Sequence, residues 1–97
     1  MPHLVIWTDN ALNGLKRLYA FLEEQSQGAA INAVKAIREK ALLLESFPNA
    51  GRAALDFEPE YRELIVPFGA AGYVLVYEVH AEQVWILAIK HQKEAGY

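Results

Sequence analysis

Three runs rich in β-branched and aromatic residues, Tyr61–Phe68, Tyr73–Val79 and Gln83–Lys90, make up nearly half of the C-terminal half of the chain. Only Gly69-Ala70-Ala71-Gly72 separates the first two, and His80-Ala81-Glu82 the last two. Parallel neighbours need a crossover of a dozen or more residues, so gaps this short admit only hairpins. The three runs therefore predict an antiparallel meander. In Gln83–Lys90, Val84, Ile86 and Ala88 alternate with Trp85, Leu87 and Ile89, so both faces are apolar and the strand is expected to be central. In the run before it, Tyr73, Leu75, Tyr77 and Val79 share one face, and Val74 and Val76 the other.

The N-terminal half has a different period. His3–Trp7 reads as a short apolar strand, and Thr8, Asp9 and Asn10 supply N-cap chemistry after it. Ala11, Leu15, Leu18 and Leu22 then recur at helical spacing, which predicts a helix over about 9–25. A second helix is expected from about Ala29 to Ser46, with Ala30, Val34, Ile37, Ala41 and Leu44 as its apolar stripe and Pro48 and Gly51 beyond its end. Ser26-Gln27-Gly28 is too short to separate the two by anything but an antiparallel hairpin. Residues 48–60 read as a loop. The expected fold is α+β: an N-terminal strand, an α-hairpin and a three-stranded meander, with the helices on one face of the sheet. One hairpin cannot cover both faces, so the second is covered by loops, tail and long side chains, or it stands open for a partner.

The chain has 97 residues, 54% of them hydrophobic, which predicts one domain over 1–97 with a single core. A domain this small buries roughly 60–65% of its unfolded surface, so a partner would add much to its stability. It has no cysteine, hence no disulfide or thiolate metal site. His3, His80 and His91 lie on separate elements without metal-ligand spacing, and neither metal nor cofactor is expected. There is no phosphate-cradling glycine loop and no nucleophile elbow. No signal segment or membrane span is read, so a cytoplasmic protein without membrane contact is expected. Net charge is −3, and residues 52–97 carry seven acids against Arg52, Arg62, Lys90 and Lys93. Phosphate-backbone binding normally shows a basic surplus, so a nucleic-acid binder is disfavoured.

The layout, together with Pro48-x-x-Gly51-Arg52, Tyr61-Arg62-Glu63-Leu64, Gly72-Tyr73-Val74-Leu75-Val76-Tyr77 and Val84-x-Ile86-Leu87-x-x-Lys90-His91, resembles the RelE/ParE superfamily of type II toxin–antitoxin toxins over essentially the whole chain. The resemblance implies a growth-inhibiting, plasmid-stabilising toxin neutralised by a cognate antitoxin that wraps the helix pair and the sheet. Leu15, Leu18, Leu22, Tyr73, Leu75, Tyr77 and Trp85 are the candidate antitoxin contacts, and a higher-order complex is left open. ParE-like members act on DNA gyrase by binding it. RelE-like members cut messenger RNA on the ribosome.

Cleavage of the RelE type needs an activated 2′-hydroxyl, cations around the phosphate and an acid for the leaving oxygen. Arg62, His91 and Tyr97 would be the catalytic set on that reading, and Arg52, Arg62, Lys90, His91 and Tyr97 are the target-contact candidates on either. Each also has a plain structural reading. Arg62 could pair with Glu60, Glu78 or another acid on an exposed sheet face. Arg52 could hydrogen-bond helix-end carbonyls, His91 could bond nearby backbone, Lys90 could solubilise a strand end, and Tyr97 could be a frayed terminus. Trp7 and Trp85 read as sheet residues. The missing basic surplus favours the non-enzymatic, ParE-like reading.

Overall fold

The structure is a computed structural model that describes residues 2–54, 61–69 and 71–92. Strand β1 (Leu4–Trp7) leads into helix α1 (Asp9–Glu23) and helix α2 (Gln27–Ser46), followed by β2 (Arg52–Ala53), β3 (Tyr61–Phe68), β4 (Ala71–His80) and β5 (Gln83–His91). The sheet order is β1-β5-β4-β3-β2. The meander β3-β4-β5 is antiparallel throughout, as the short gaps require. Two pairings were not legible in the chain. β1 lies parallel to β5, which places β5 between two strands. Within the span read as a loop, Arg52 and Ala53 pair with Glu63 and Arg62 as a fifth strand.

The helix ends follow from capping chemistry. The Thr8 side chain accepts from the Ala11 amide and the Ser26 side chain from the Ala29 amide. Ser26 thus starts α2 two residues earlier than the apolar stripe predicts, and the two helices are joined by residues 24–26 alone. On α2 the fully buried residues are Ala30, Ala33, Ile37, Ala41 and Leu44. Val34, expected in that stripe, is half-buried and turns instead to an outer depression beside Ile31 and Leu42.

The core lies between the helix pair and one face of the sheet, with Ile37 and Leu44 against Leu64, Val66, Leu75, Tyr77, Val84 and Ile86. The simple alternation expected along β5 breaks at Leu87. Val76 pairs with Ala88 but Tyr77 pairs with Ile86, leaving Leu87 as an extra residue. The bulge reverses the parity beyond it, so Ile89, not Ala88, joins Val84 and Ile86 in the core. The start of α1 holds this bulge in place: Thr8 Oγ1 donates to the Ile86 carbonyl at 2.7 Å, and Asn10 Nδ2 to the Leu87 carbonyl at 2.8 Å. On the face away from the helices, Val74 and Val76 are buried while Trp85 and Ala88 are half-buried. Among the described residues, no helix is long and apolar enough to cross a membrane.

Candidate functional site

The sequence candidates fall into two groups at different places on the sheet. The first surrounds Tyr77. Its hydroxyl donates to the Pro48 carbonyl at 2.8 Å and accepts from the Gly51 amide at 2.9 Å, tying the chain after α2 to the sheet. Arg62, in register with Tyr77, donates from Nη1 to the Gly51 carbonyl at 2.8 Å. Burial pushes the Tyr77 hydroxyl above its ordinary value of 10.0, against the opposing pull of the Gly51 hydrogen bond and the Arg62 charge. A Cβ on Gly51 would stand 2.6 Å from the Glu63 carbonyl oxygen and 2.8 Å from the Tyr77 ring, so the site demands glycine. Arg52 lies on β2 with Nε 3.3 Å from Oε1 of Glu63, a carboxylate that is itself buried. Arg62 thus bonds a backbone carbonyl, with Glu60 outside the described residues, and Arg52 pairs with an acid rather than helix-end carbonyls.

The second group forms a groove where α1 crosses the start of β4 and the end of β5. The groove encloses about 550 Å³ and brings together Leu18, Leu22, Tyr73, Ile89, Lys90 and His91, with Gly14, Arg17 and Phe21 contributed by α1. The His91 ring meets Tyr73 edge-on, centroids 5.6 Å apart, and the tilted Phe68 ring lies 6.1 Å from that of Tyr73. Burial raises the Tyr73 hydroxyl as well. At Gly14 a Cβ would meet the Ile89 carbonyl oxygen at 3.5 Å, an ordinary contact, so α1 lies against β5 there without demanding glycine.

Arg62 and His91 do not meet. His91 is in register with Tyr73 and Arg62 with Tyr77 on the opposite flank of β4, which separates them by about 16 Å at ordinary strand dimensions. Core side chains, Leu75 among them, fill the space between. Tyr97 lies outside the described residues. Of the candidate antitoxin contacts, Leu75 and Tyr77 are fully buried beneath the chain's own helices and offer no surface, and Tyr73 is nearly so. Leu15, Leu18, Leu22 and Trp85 keep partial exposure. His80 pairs with Glu78 at the β4–β5 turn. No cluster among the described residues could hold a metal ion. Arg17 and Phe21 were missed by the sequence reading. Their signal was their place three and seven residues after Gly14, on one helix face with it, but a charged helical residue ordinarily reads as solvated.

The model of the ParE toxin of type II toxin–antitoxin systems, parDE, matches residues 5–96. The chain belongs to this ParE toxin family. The ParE-family chain is 36% identical over 84 residues to Toxin RelE3 of Caulobacter vibrioides, covering 87% of this chain and 88% of that one. Among solved structures it resembles the chromosomal ParDE system of P. aeruginosa, with TM-score 0.78, 22% identity, and coverage of 94% of this chain and 97% of the other. It also resembles an E. coli RelE toxin mutant in the free state, with TM-score 0.67, 16% identity, and coverage of 96% and 86%. At these identities the structural likenesses speak to fold: the α-hairpin on a five-stranded sheet is the RelE/ParE toxin architecture. The ParE-family chain is thus a type II toxin of the RelE/ParE superfamily.

Proposed function

We propose that this chain inhibits DNA gyrase in the cytoplasm by protein–protein binding, without chemistry of its own, and is neutralised by a cognate antitoxin. The separation of Arg62 from His91 carries this reading. Concerted attack and leaving-group protonation require an acid, a base and phosphate-binding cations within a few ångströms of one phosphate. Here the Cα positions of Arg62 and His91 are about 16 Å apart on β-sheet spacing, and the Arg62 guanidinium is engaged by the Gly51 carbonyl. The low basic count after residue 51 supports the same side. The ParDE toxin–antitoxin system among the structural relatives supports an antitoxin partner. Lys90, His91 and the residues after them are the proposed target contacts. Leu15, Leu18, Leu22 and Trp85 are the proposed antitoxin contacts, with Tyr73 at the margin. The roles proposed for Arg52 and Tyr97 stay with the target surface.

A second reading, ribosome-dependent cleavage of messenger RNA by Arg62, His91 and Tyr97, draws support from the 36% identity to a toxin bearing a RelE name. Purified toxin assayed in parallel against gyrase and against messenger RNA on programmed ribosomes separates the two. The expected result is linear DNA released from gyrase on denaturation, with intact RNA. Codon-positioned RNA cuts with unaffected gyrase would reverse the assignment. Arg62→Ala and His91→Ala are each expected to lower activity less than tenfold, whereas loss of a catalytic acid or base costs about 10²–10⁴-fold.

A further inference from the structure

Among the described residues, Glu63 is the one charged side chain that is buried, at 7% exposed. It sits on the sheet face away from the helices, where Arg52, Glu63 and Val76 stand side by side across β2, β3 and β4 in direct register. Taking a carboxylate out of water is costly, and an apolar side chain of similar volume in such a place is often at least as stable. Stability alone therefore does not account for an acid at this position. What the acid does is hold Arg52: Oε1 lies 3.3 Å from Nε, while the Arg52 side chain stays 67% exposed. The backbone before Arg52 is fixed as well, since Gly51 donates its amide to the Tyr77 hydroxyl and accepts from Arg62 at its carbonyl. With Nε engaged, Nη1 and Nη2 carry four N–H donors. No hydrogen bond or ion pair engages those two nitrogens among the described residues.

We propose that Arg52 binds a carboxylate of the target protein through Nη1 and Nη2, and that Glu63 is the positioning residue that holds the guanidinium ready for it. The inference rests on the gyrase-binding reading above and names the chemistry of one contact within it. A planar guanidinium binds a carboxylate through two parallel hydrogen bonds, which gives orientation as well as attraction. A guanidinium already held at Nε loses little further freedom when the ligand arrives. The surroundings favour a single carboxylate over a phosphate backbone. Residues 52–97 carry seven acids against four basic residues, so this half of the chain offers no row of cations for a nucleic acid. Glu78, in register with Tyr61, shares the face diagonally from Glu63 and adds to that repulsion.

The test is isothermal titration of the purified toxin against gyrase, with and without DNA, at low and high salt. Arg52→Ala should weaken binding to DNA-free gyrase about tenfold or more, with a smaller difference at high salt. Arg52→Lys keeps the charge without the fork and should stay about threefold or more weaker than wild type. Glu63→Gln, nearly the same in shape, should weaken binding about threefold to fivefold while circular dichroism shows it folded. In the Arg52→Ala background, Glu63→Gln should change nothing further, because Glu63 acts only through Arg52. Glu63→Leu answers the same question should Glu63→Gln be unstable. Arg38→Ala, on the outer face of α2, should stay within about twofold of wild type. The proposal is overturned if Arg52→Ala binds gyrase as wild type does. It is equally overturned if Arg52→Ala weakens binding only when DNA is present, which would make the ligand a phosphate. A full further loss on adding Glu63→Gln to Arg52→Ala overturns the positioning role, since a structural defect acts whether or not Arg52 is there. If wild-type toxin does not bind gyrase at all, the gyrase reading itself fails. Tight wild-type binding that ignores Arg52 removes only the proposed contact.

Discussion

At the residue scale, Tyr77 is a core side chain with a polar task. Its ring is packed beneath α2, and its hydroxyl satisfies the Pro48 carbonyl and the Gly51 amide, where the chain leaves α2 and no helical partner remains. Tyr77→Phe should cost about 1–3 kcal/mol in urea unfolding, because two backbone groups lose their partner without gaining water. Gly51→Ala should cost about as much through overpacking against the Glu63 carbonyl and the Tyr77 ring. The same burial has a pH consequence. In the unfolded chain Tyr73 and Tyr77 ionise near 10.0, whereas in the folded chain their hydroxyls hold the proton to higher pH. The native state then binds more protons than the unfolded state above that pH, so stability falls as pH rises through the raised values and is fully present below about 10. Thermal unfolding followed by circular dichroism should show Tm dropping above pH 10.0, with a shallower drop in Tyr77→Phe.

At the element scale, the junction of α1 with β5 deserves the closest test, since two distant segments hold each other there. Thr8 caps α1 and donates to β5 through the same hydroxyl, and its amide also donates to the Ile86 carbonyl at 3.1 Å. Thr8→Ala should therefore cost about 2 kcal/mol, the sum of a cap and a hydrogen bond, while Ser26→Ala, which removes a cap alone, should cost about 1 kcal/mol. Equal losses in denaturant unfolding would mean that the bond to β5 contributes nothing. Deleting Leu87 makes a sharper point. The deletion removes the one extra residue, so Ile86 stays opposite Tyr77, Ala88 opposite Val76 and Ile89 opposite Leu75; the core set is kept, and denaturant unfolding should show a loss of only about 1 kcal/mol, from the Asn10 bond to the Leu87 carbonyl. The bulge explains why alternation misassigned Ala88 and Ile89. Period-2 reasoning assumes an unbroken ladder, and nothing in Trp85-Ile86-Leu87-Ala88-Ile89 marks the extra residue.

At the scale of the whole molecule, the sheet keeps its candidate residues apart. Arg62→Ala and His91→Ala, about 16 Å apart with the core between them, should affect stability additively to within about 0.5 kcal/mol. A larger coupling in the double variant would mean that they share a site after all. Exposed Phe21, Ile31, Leu42 and Phe47 leave a broad apolar helix surface. An antitoxin present at 100 times its dissociation constant would raise unfolding stability by about 2.7 kcal/mol, which a shift in Tm with antitoxin concentration would register. Much of the fold was legible because it is local. Helical spacing, gap lengths and cap residues act between near neighbours in the chain, and they placed both helices and all three strands of the meander to within a few residues.

The candidate site was less legible. Arg62, Lys90 and His91 could be singled out as residue types at strand positions, but their grouping depends on which strands are adjacent and which faces they share. The sequence by itself determined the α-hairpin, the meander and the excess of apolar surface, since periodicity and loop length are properties of contiguous segments. Only the tertiary structure decided the parallel seat of β1 beside β5, the pairing of Arg52 with Glu63, and the groove that joins Arg17 to His91. Each of these joins segments distant in the chain, where packing and hydrogen-bond satisfaction select the partner and no local pattern records the choice.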